Sequence, residues 1–266
     1  MSGGAKPRGS AVVTGASSGI GRELARRIAA DGWPVALVAR RADRLAELAA
    51  ELRAAHGAEA HVLAVDLSEP NGPARVEETA ADLGLEVGLL VNNAGFGTWG
   101  PFADGDLAIR LDALRVNVLA LTELTGRFLS GMRARGWGRI LNVASTAAFQ
   151  PGPRAAVYYA SKAYVLHFSE ALHEELRGSG VTVTALCPGP TETEFQERAG
   201  MAGTPVGRRG PLMMDADRVA EAGYRGALRG EAVVVPGLAN RVGAWLPRIT
   251  PRFLARRVVA TLNAER

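Results

Sequence analysis

The chain has little cysteine and histidine and no long apolar run, and each shortage excludes a class of protein. Its 266 residues include one cysteine, Cys187, so an intrachain disulfide is excluded, and we interpret this thiol as a small buried apolar group. The four histidines stand apart, without a cysteine cluster or an H-E-x-x-H helix, so we expect no metal site. No run of about eighteen apolar residues occurs, which argues against a membrane-spanning helix.

The N-terminal segment, MSGGAKPRGS, lacks the apolar stretch of a secretory signal, so we expect a soluble, cytoplasmic protein. The formal net charge is +4, yet no nucleic-acid motif accompanies the arginines, and we expect no nucleic-acid partner. With 47% hydrophobic and 22% charged residues, the chain can bury a substantial core. Its length fits one large α/β domain.

Short apolar runs alternate with segments of helical period along most of the chain. The runs lack polar alternation, which is typical of strands in a parallel sheet covered on both faces. Right-handed crossovers then give a Rossmann-type, doubly wound sheet of seven strands flanked by helices on both faces. The predicted strands are 11–14, 34–39, 60–65, 88–91, 139–143, 181–186 and 232–235, and the predicted helices are 19–31, 41–55, 73–83, 105–135, 156–178 and 215–229.

No linker, repeat or low-complexity stretch interrupts this pattern, so we expect one domain over residues 1–266. Within it, residues 10–195 would form the core. The Gly- and Pro-rich segment 196–214 would lie near the C-terminal edge of the sheet, as a lid over a substrate. Residues 215–266 would contribute to the substrate cleft or to a subunit interface.

Arginines alternate with large apolar residues at the end of the chain. This pattern fits a basic amphipathic segment at a membrane surface, but a terminal helix that caps the cleft or an interface is the interpretation we favour. The arginines are Arg241, Arg248, Arg252, Arg256 and Arg257, and the apolar residues are Trp245, Leu246, Ile249, Phe253, Leu254 and Val258.

The segment TGASSGIG, residues 14–21, joins the first predicted strand to the first predicted helix. Glycines permit a tight turn and close backbone approach, while the helix N-terminus offers N–H groups and a positive dipole end to a pyrophosphate. A glycine-rich turn that serves only packing is the alternative. The candidate phosphate-binding residues are Gly15, Ser17, Ser18, Gly19, Ile20 and Gly21.

The end of the second predicted strand bears on the choice of cofactor. Enzymes that use NAD usually hold the ribose 2′-hydroxyl with an acidic residue here, but this chain has Ala39. Arg40 and Arg41 follow, and a guanidinium can pair with a 2′-phosphate. We therefore predict that NADP(H) is preferred, with NAD(H) as the alternative. Arg44 is interpreted as part of an exposed helix face.

Tyr158 and Lys162 lie four residues apart in a predicted helix, so their side chains project from one face. An ammonium beside a phenol favours the phenolate, which would lower the pKa of Tyr158 from its usual value near 10 and allow acid/base chemistry. Taken alone, the spacing also fits a packed ring beside a solvated lysine. Ser145, at the end of an apolar run, supports the catalytic interpretation. Tyr159 fits these spacings less well.

In this combination the motifs resemble those of the short-chain dehydrogenase/reductase family, over residues 10–195. The resemblance implies a seven-stranded Rossmann sheet and a nicotinamide cofactor, with residues 10–195 as the cofactor-binding and catalytic core. It also implies a homodimer or homotetramer, often formed through the two long helices. The motifs are TGASSGIG (14–21), NNAG (92–95), Asn117 in RVNV, Ser145 in NVAS, Tyr158-x-x-x-Lys162 and PGPTET (188–193).

The resemblance also assigns the residues that would bind the cofactor. Asp66 would hydrogen-bond the adenine amino group, with Leu67 beside it, and Lys162 would hold the nicotinamide ribose hydroxyls. Asn92 would brace the sheet. The residues under the adenosine ribose would be Asn93, Ala94 and Gly95. The residues around the nicotinamide would be Pro188, Gly189, Thr191 and Thr193.

The chemistry that follows is hydride transfer to a carbonyl carbon, with negative charge growing on the oxygen. Ser145 and Tyr158 would donate hydrogen bonds to that oxygen, and Tyr158 would deliver the proton. The family implies that Asn117 holds a water that feeds protons to Lys162. Two structural alternatives stay open, because Asn117 could only bend a helix and Ser145 could only cap a turn.

The leading hypothesis is therefore an NADP(H)-dependent oxidoreductase that interconverts a ketone or aldehyde with an alcohol. One alternative is a 3-oxoacyl-thioester reductase, with Arg208 and Arg209 meeting a phosphopantetheine carrier. Others are a nucleotide-sensing protein without turnover and a membrane-associated reductase of lipidic substrates. The substrate itself carries no diagnostic motif, although several aromatic residues suggest an apolar pocket. They are Phe96, Trp99, Phe149 and Phe195.

Overall fold

A computed structural model of the chain describes residues 9–201, 204 and 213–264. Its centre is a seven-stranded sheet in the order β3-β2-β1-β4-β5-β6-β9, with every neighbouring pair parallel. This confirms the predicted doubly wound sheet. The strands are β1 (Ser10–Thr14), β2 (Val35–Ala39), β3 (Ala60–Ala64), β4 (Val87–Asn92), β5 (Gly138–Val143), β6 (Val181–Leu186) and β9 (Val233–Val234).

The helices cover both faces of the sheet, and most of their ends fall within a few residues of the predicted ones. The predicted helix 105–135 is confirmed as one unbroken helical run over residues 107–134, in which the turn at Arg115–Ala120 is π-helical rather than α-helical. The helices are α1 (Gly19–Ala30), α2 (Ala42–His56), α3 (Gly72–Asp82), α4 (Leu107–Leu114), α5 (Leu121–Ala134), α6 (Ala156–Glu175), α7 (Phe195–Arg198), α8 (Ala216–Arg229), α9 (Leu238–Ile249) and α10 (Arg252–Leu262), with a 3₁₀ turn at Thr146–Phe149.

Successive side chains of each central strand enter opposite apolar layers. In β1, Val13 packs in the layer that includes Leu24 of α1, whereas Val12 packs in the layer that includes Val76 of α3 and Leu124 of α5. Both layers are closed to solvent, so a strand needs apolar residues at every position. This explains why the sequence shows continuous apolar runs rather than alternation.

Hydrogen bonds between buried side chains fix the two long helices against the ends of the central strands. Asn92, the last residue of β4, donates from Nδ2 to Thr125 Oγ1 (3.0 Å) and to Asn142 Oδ1 (2.9 Å). Asn142 in turn donates to Ser169 Oγ in α6 at 2.9 Å. The expected bracing role of Asn92 is confirmed, and it holds α5 and α6 in place beside the cleft.

A second, two-stranded sheet pairs β7 (Thr191–Glu192) with β8 (Met214–Asp215). It joins the two ends of the predicted lid, which begins with α7. Residues 202–203 and 205–212, and with them Arg208 and Arg209, lie outside the described residues. The division of the chain into core, lid and C-terminal segment stays a prediction.

Candidate active site

The C-terminal ends of the central strands open into a cavity of about 910 Å³. Every predicted cofactor-binding residue except Gly21 lines it, and so do Ser145, Tyr158 and Lys162. Gly21 and Asn117 lie behind its wall. A Cβ atom on Gly21 would stand 2.4 Å from the Gly15 carbonyl oxygen, so this glycine allows the first turn of α1 to pack under the loop.

The glycine-rich loop is tied to the end of β4. Gly15 has a positive φ of 66°, and a Cβ atom there would lie 2.6 Å from Asn93 Nδ2. Asn93 Nδ2 donates to the carbonyl oxygens of Thr14 (2.9 Å) and Gly15 (3.3 Å). The Ser18 side chain makes no capping hydrogen bond to α1, which leaves the first N–H groups of that helix available to an anion.

Arg41 lies against this loop and is partly buried. Its Nη2 donates to Ser17 Oγ (2.9 Å) and Ser18 Oγ (3.2 Å), and its Nη1 lies 3.3 Å from Glu194 Oε2. Arg44 also pairs with Glu194, at 2.5 Å, and Arg198 pairs with the same carboxylate. Arg44 lies on α2 with 40% of its side chain accessible, which agrees with the predicted exposed helix face, and it also takes part in this cluster.

The Glu194 carboxylate is the centre of this cluster. Its pKa is lowered, chiefly by the hydrogen bond from Arg44 and against the opposing effect of burial, with Arg198 and Arg41 contributing further. Glu194 therefore carries its negative charge at neutral pH. Sequence reasoning missed Glu194 and Arg198, since neither lies in a recognisable motif.

Arg40 is the more exposed of the two adjacent arginines, with 69% of its side chain accessible. Its Nη1 lies 3.7 Å from Asp66 Oδ2, while Asp66 Oδ1 accepts hydrogen bonds from the Ser68 backbone N–H (2.9 Å) and hydroxyl (2.7 Å). Burial is the largest influence on Asp66 and acts to raise its pKa. The Ser68 hydrogen bonds and the Arg40 guanidinium together outweigh it, so the pKa of Asp66 is lowered.

Tyr158 stands on the cavity wall, with its ring centroid 5.2 Å from that of Phe195. Burial raises the pKa of its phenol to about 12, against the smaller opposing effect of a hydrogen bond with Ser145. The expectation of a lowered pKa is thus wrong for this structure. The physical reason is that burial disfavours the charged phenolate more than the neighbouring groups stabilise it.

Lys162 is buried beside Tyr158, with Nζ 5.8 Å from the Tyr158 ring centroid. Its Nζ donates to the carbonyl oxygen of Val143 at 2.7 Å. Burial lowers the pKa of this ammonium to about 8. Lys162 therefore lies beside Tyr158, as predicted, but its ammonium is hydrogen-bonded to Val143, the last residue of β5.

Ser145 both caps a turn and faces the cavity. Its Oγ accepts a hydrogen bond from the Ala147 N–H at 3.1 Å at the start of the 3₁₀ turn. The predicted alternative that Ser145 caps a turn is therefore correct, but the residue also faces the cavity. The same hydroxyl donates to the Pro188 carbonyl oxygen at 3.5 Å and lies close enough to Tyr158 to act on the pKa of its phenol. The cap fixes the position of the hydroxyl relative to the tyrosine.

Asn117 occupies the π-helical turn and braces the segment after β4. Its Nδ2 donates to the Phe96 carbonyl oxygen (2.9 Å) and Ser161 Oγ (3.0 Å), and its Oδ1 accepts from the Phe96 N–H (3.0 Å). Both amide hydrogens are therefore used within the protein. The water-holding role assigned to Asn117 stays a prediction, and its side-chain N–H groups cannot supply it.

Gly95 allows Asn117 and Lys162 to approach the same point. A Cβ atom on Gly95 would lie 2.9 Å from Asn117 Oδ1 and 3.4 Å from Lys162 Nζ. The first of these separations is shorter than a carbon and an oxygen tolerate. A side chain at position 95 would displace one of the two groups.

The rest of the cavity wall combines predicted and unpredicted residues. Phe96 and Phe195 line the cavity, whereas Trp99 and Phe149 do not, so the pocket has fewer aromatic residues than expected. Trp99 lies under the Arg154 guanidinium and Phe149 under that of Arg248. The C-terminal helices supply residues that sequence reasoning missed, namely Ala239, Asn240, Gly243, Val259 and Leu262.

Comparison with known proteins places the chain in a family. The short chain dehydrogenase model matches residues 10–202. A short chain dehydrogenase of Pseudocercospora fijiensis is 42% identical over 70% of this chain. The very-long-chain 3-oxoacyl-CoA reductase of Anas platyrhynchos is 38% identical over 67% of this chain. The chain belongs to the short chain dehydrogenase family, although the two matches span only 60% and 58% of those relatives.

A solved structure is similar to most of this chain. The short-chain dehydrogenase from Sphingobium yanoikuyae, solved in complex with NADPH, superimposes with a TM-score of 0.80 at 35% identity. The alignment covers 90% of this chain and 92% of that one. The fold is therefore shared with that relative over most of both chains.

Proposed function

We propose that the protein is an NADP(H)-dependent oxidoreductase that interconverts a ketone or aldehyde with an alcohol. The observation that carries this proposal is one continuous cavity. Its wall holds the glycine-rich loop and Arg41 together with Ser145, Tyr158 and Lys162. A dinucleotide and a small carbonyl compound need such a shared space for the reacting atoms to meet.

The residues present fit an NADP(H) molecule. The uncapped N-terminus of α1 and the absence of Cβ atoms at Gly15 and Gly19 suit a pyrophosphate. Arg41 and Arg40 suit a 2′-phosphate, and Asp66 suits the adenine amino group. NADPH in the Sphingobium yanoikuyae relative supports this assignment. When bound, the reduced cofactor supplies the hydride that adds to the carbonyl carbon.

The chain's own residues then act on the carbonyl oxygen. The Tyr158 O–H bond breaks as its proton passes to that oxygen, and the Ser145 hydroxyl donates a hydrogen bond that stabilises the growing charge. The pKa of about 12 keeps the phenol protonated at neutral pH, which is the form that reduction requires. Lys162 lies close enough to stabilise the resulting phenolate if its amine is protonated.

A 3-oxoacyl-thioester reductase is the second candidate. It is favoured by the similarity to very-long-chain 3-oxoacyl-CoA reductases and by the size of the cavity. The arginines assigned to the carrier, Arg208 and Arg209, lie outside the described residues. A nucleotide-sensing protein without turnover is disfavoured, because the complete set of Asn117, Ser145, Tyr158 and Lys162 is retained.

A homodimer or homotetramer through α4, α5 and α6 belongs to the same proposal. Large apolar side chains on this side of the molecule remain exposed in the single chain, which supports burial in an assembly. They are Leu107, Ile109, Leu111, Leu119 and Tyr164.

The test is NADPH oxidation with a panel of ketones, aldehydes and 3-oxoacyl thioesters. Tyr158→Phe removes the proton donor and should lower kcat by about 10²–10⁴-fold while NADPH still binds. Tyr159→Phe is the matched control, since that hydroxyl lies 3.5 Å from Asn263 Nδ2 and should leave kcat nearly unchanged. Full activity in Tyr158→Phe would refute the assigned role.

A further inference from the structure

The outward side of α9 is apolar, although its inward side packs on the protein through small or polar residues. Buried Asn240 and Ala244 form the inward contact. The exposed residues follow the spacing of a single helical stripe, and each is more than half accessible. They are Leu238, Val242, Trp245, Leu246 and Ile249.

The next helix, α10, continues this arrangement. It is anchored by buried Ala255 and Val259, and its exposed apolar residues are Phe253, Leu254, Val258 and Leu262. We call the exposed apolar residues of both helices the C-terminal apolar face. Single exposed apolar residues are ordinary, but nine exposed large apolar residues on two successive helices are typical of an interaction surface.

The segment that carries the C-terminal apolar face is rich in arginine and has no acidic residue between Glu231 and Glu265. Residues 232–264 contain five arginines and neither aspartate nor glutamate. All five are exposed, and within the described ranges none of them pairs with a carboxylate. Arg241 and Arg248, seven residues apart, border the stripe of α9 on one side.

We propose that the C-terminal apolar face docks on the surface of an anionic phospholipid bilayer. Large apolar residues on one side of a helix, bordered by arginines, suit the boundary between acyl chains and anionic headgroups. Among the described residues, no helix is both long and apolar enough to cross a bilayer, so the two helices would lie on the surface. A two-fold contact with a second copy is less suitable, because it would bring the same arginines together.

Docking would set the cavity beside the lipid. The same two helices line the cavity with residues such as Gly243, Val259 and Leu262. A carbonyl compound dissolved in the bilayer would then have a short path to Tyr158. This consequence rests on the proposed function, whereas docking itself does not.

The experiment is flotation of the full-length protein with vesicles of phosphatidylcholine, with or without phosphatidylglycerol. Wild-type protein should float with the anionic vesicles and stay behind with the neutral ones. Two variants test the two contributions separately. Leu246→Glu/Ile249→Glu changes exposed apolar residues, and Arg252→Glu/Arg256→Glu/Arg257→Glu reverses exposed charges, so neither should disturb folding.

The charge-reversal variant should partition roughly a hundredfold more weakly, or worse, because each arginine near an anionic surface contributes about 1 kcal/mol. The matched control is Arg75→Glu/Arg177→Glu/Arg218→Glu, which changes the net charge equally at exposed sites on other elements. It should keep most of the binding. Thermal unfolding of each variant checks that the fold is intact.

Three results would overturn the proposal. The first is wild-type protein that stays in the aqueous fraction with anionic vesicles. The second is an equal loss in the control variant, which would mean that binding follows net charge alone. The third is a lower oligomeric state of Leu246→Glu/Ile249→Glu in lipid-free sedimentation, since the face would then be a subunit contact. Vesicle binding needs no turnover, so its failure is distinct from failure of the proposed activity.

Discussion

Replacing Arg41 by alanine should weaken NADPH binding far more than NADH binding. The two nucleotides differ by the 2′-phosphate, and the Arg41 guanidinium is already held at the cavity wall by Ser17, Ser18 and Glu194. A hydrogen bond to a charged partner typically contributes about 1.5–3 kcal/mol. The loss therefore corresponds to roughly a tenfold to hundredfold rise in the Kd for NADPH.

Arg40→Ala should have a smaller effect on NADPH binding, although the sequence pattern does not distinguish Arg40 from Arg41. Its side chain is 69% accessible and its contact with Asp66 spans 3.7 Å. Exposed ion pairs contribute about 0.2–1 kcal/mol, which corresponds to at most a severalfold change in Kd. The structure therefore ranks Arg41 above Arg40.

The assay is a fluorescence titration of both nucleotides into wild-type protein and each variant. NADH is the internal control, and Arg53→Ala, at the far end of α2, is the control for loss of an arginine from the same helix. Equal weakening of NADPH and NADH by Arg41→Ala would refute the reasoning, because it would mean that the loop had been disturbed. Unchanged NADPH affinity would exclude Arg41 from the phosphate site.

Three further predictions use the same site. Glu194→Gln removes the carboxylate that pairs with Arg41, so NADPH should bind up to severalfold more tightly while the affinity for NADH stays unchanged. Weaker NADPH binding would instead mean that Glu194 positions the arginine. In the cofactor-free protein, Lys162 releases its proton near pH 8 when folded but near pH 10.5 when unfolded. The unfolding free energy of wild-type protein minus that of Lys162→Met should therefore rise with pH between pH 8 and pH 10.5. Chemical denaturation at these two pH values measures this difference, and a constant difference would contradict the lowered pKa. Gly95→Ala should lower kcat, because its Cβ atom would displace Asn117 or Lys162. The control is Gly126→Ala in α5, where the added Cβ atom meets open space, so this variant should retain kcat and stabilise the fold by about 0.5–1 kcal/mol. Equal kcat values for Gly95→Ala and wild type would contradict the close approach at residue 95.

The sheet could be predicted from the sequence because its determinants are local. A strand covered on both faces needs an unbroken apolar run, so β1 and β6 can be recognised in the sequence by such runs. The glycine-rich turn is equally local, because the positive φ of Gly15 favours a residue without a Cβ atom. These two signals were enough to indicate the fold and the nucleotide end of the cavity.

The ionisation of the candidate catalytic residues could not be predicted in the same way. The spacing of Tyr158 and Lys162 shows that they share a helix face, but it does not show how far water is excluded from them. Burial is the largest influence on both pKa values, and it acts in the direction opposite to the expected effect on the tyrosine. Burial depends on every element packed around the site.

The sequence by itself determined the parallel sheet, the glycine-rich turn and the residues that face one another within a helix, because each depends on neighbours a few positions away. Only the tertiary structure decided that Glu194 meets Arg41, since 153 positions separate them along the chain. It also decided which side of α9 is covered. Helical periodicity shows that Trp245 and Leu246 share a stripe, but only packing shows that the stripe faces outward.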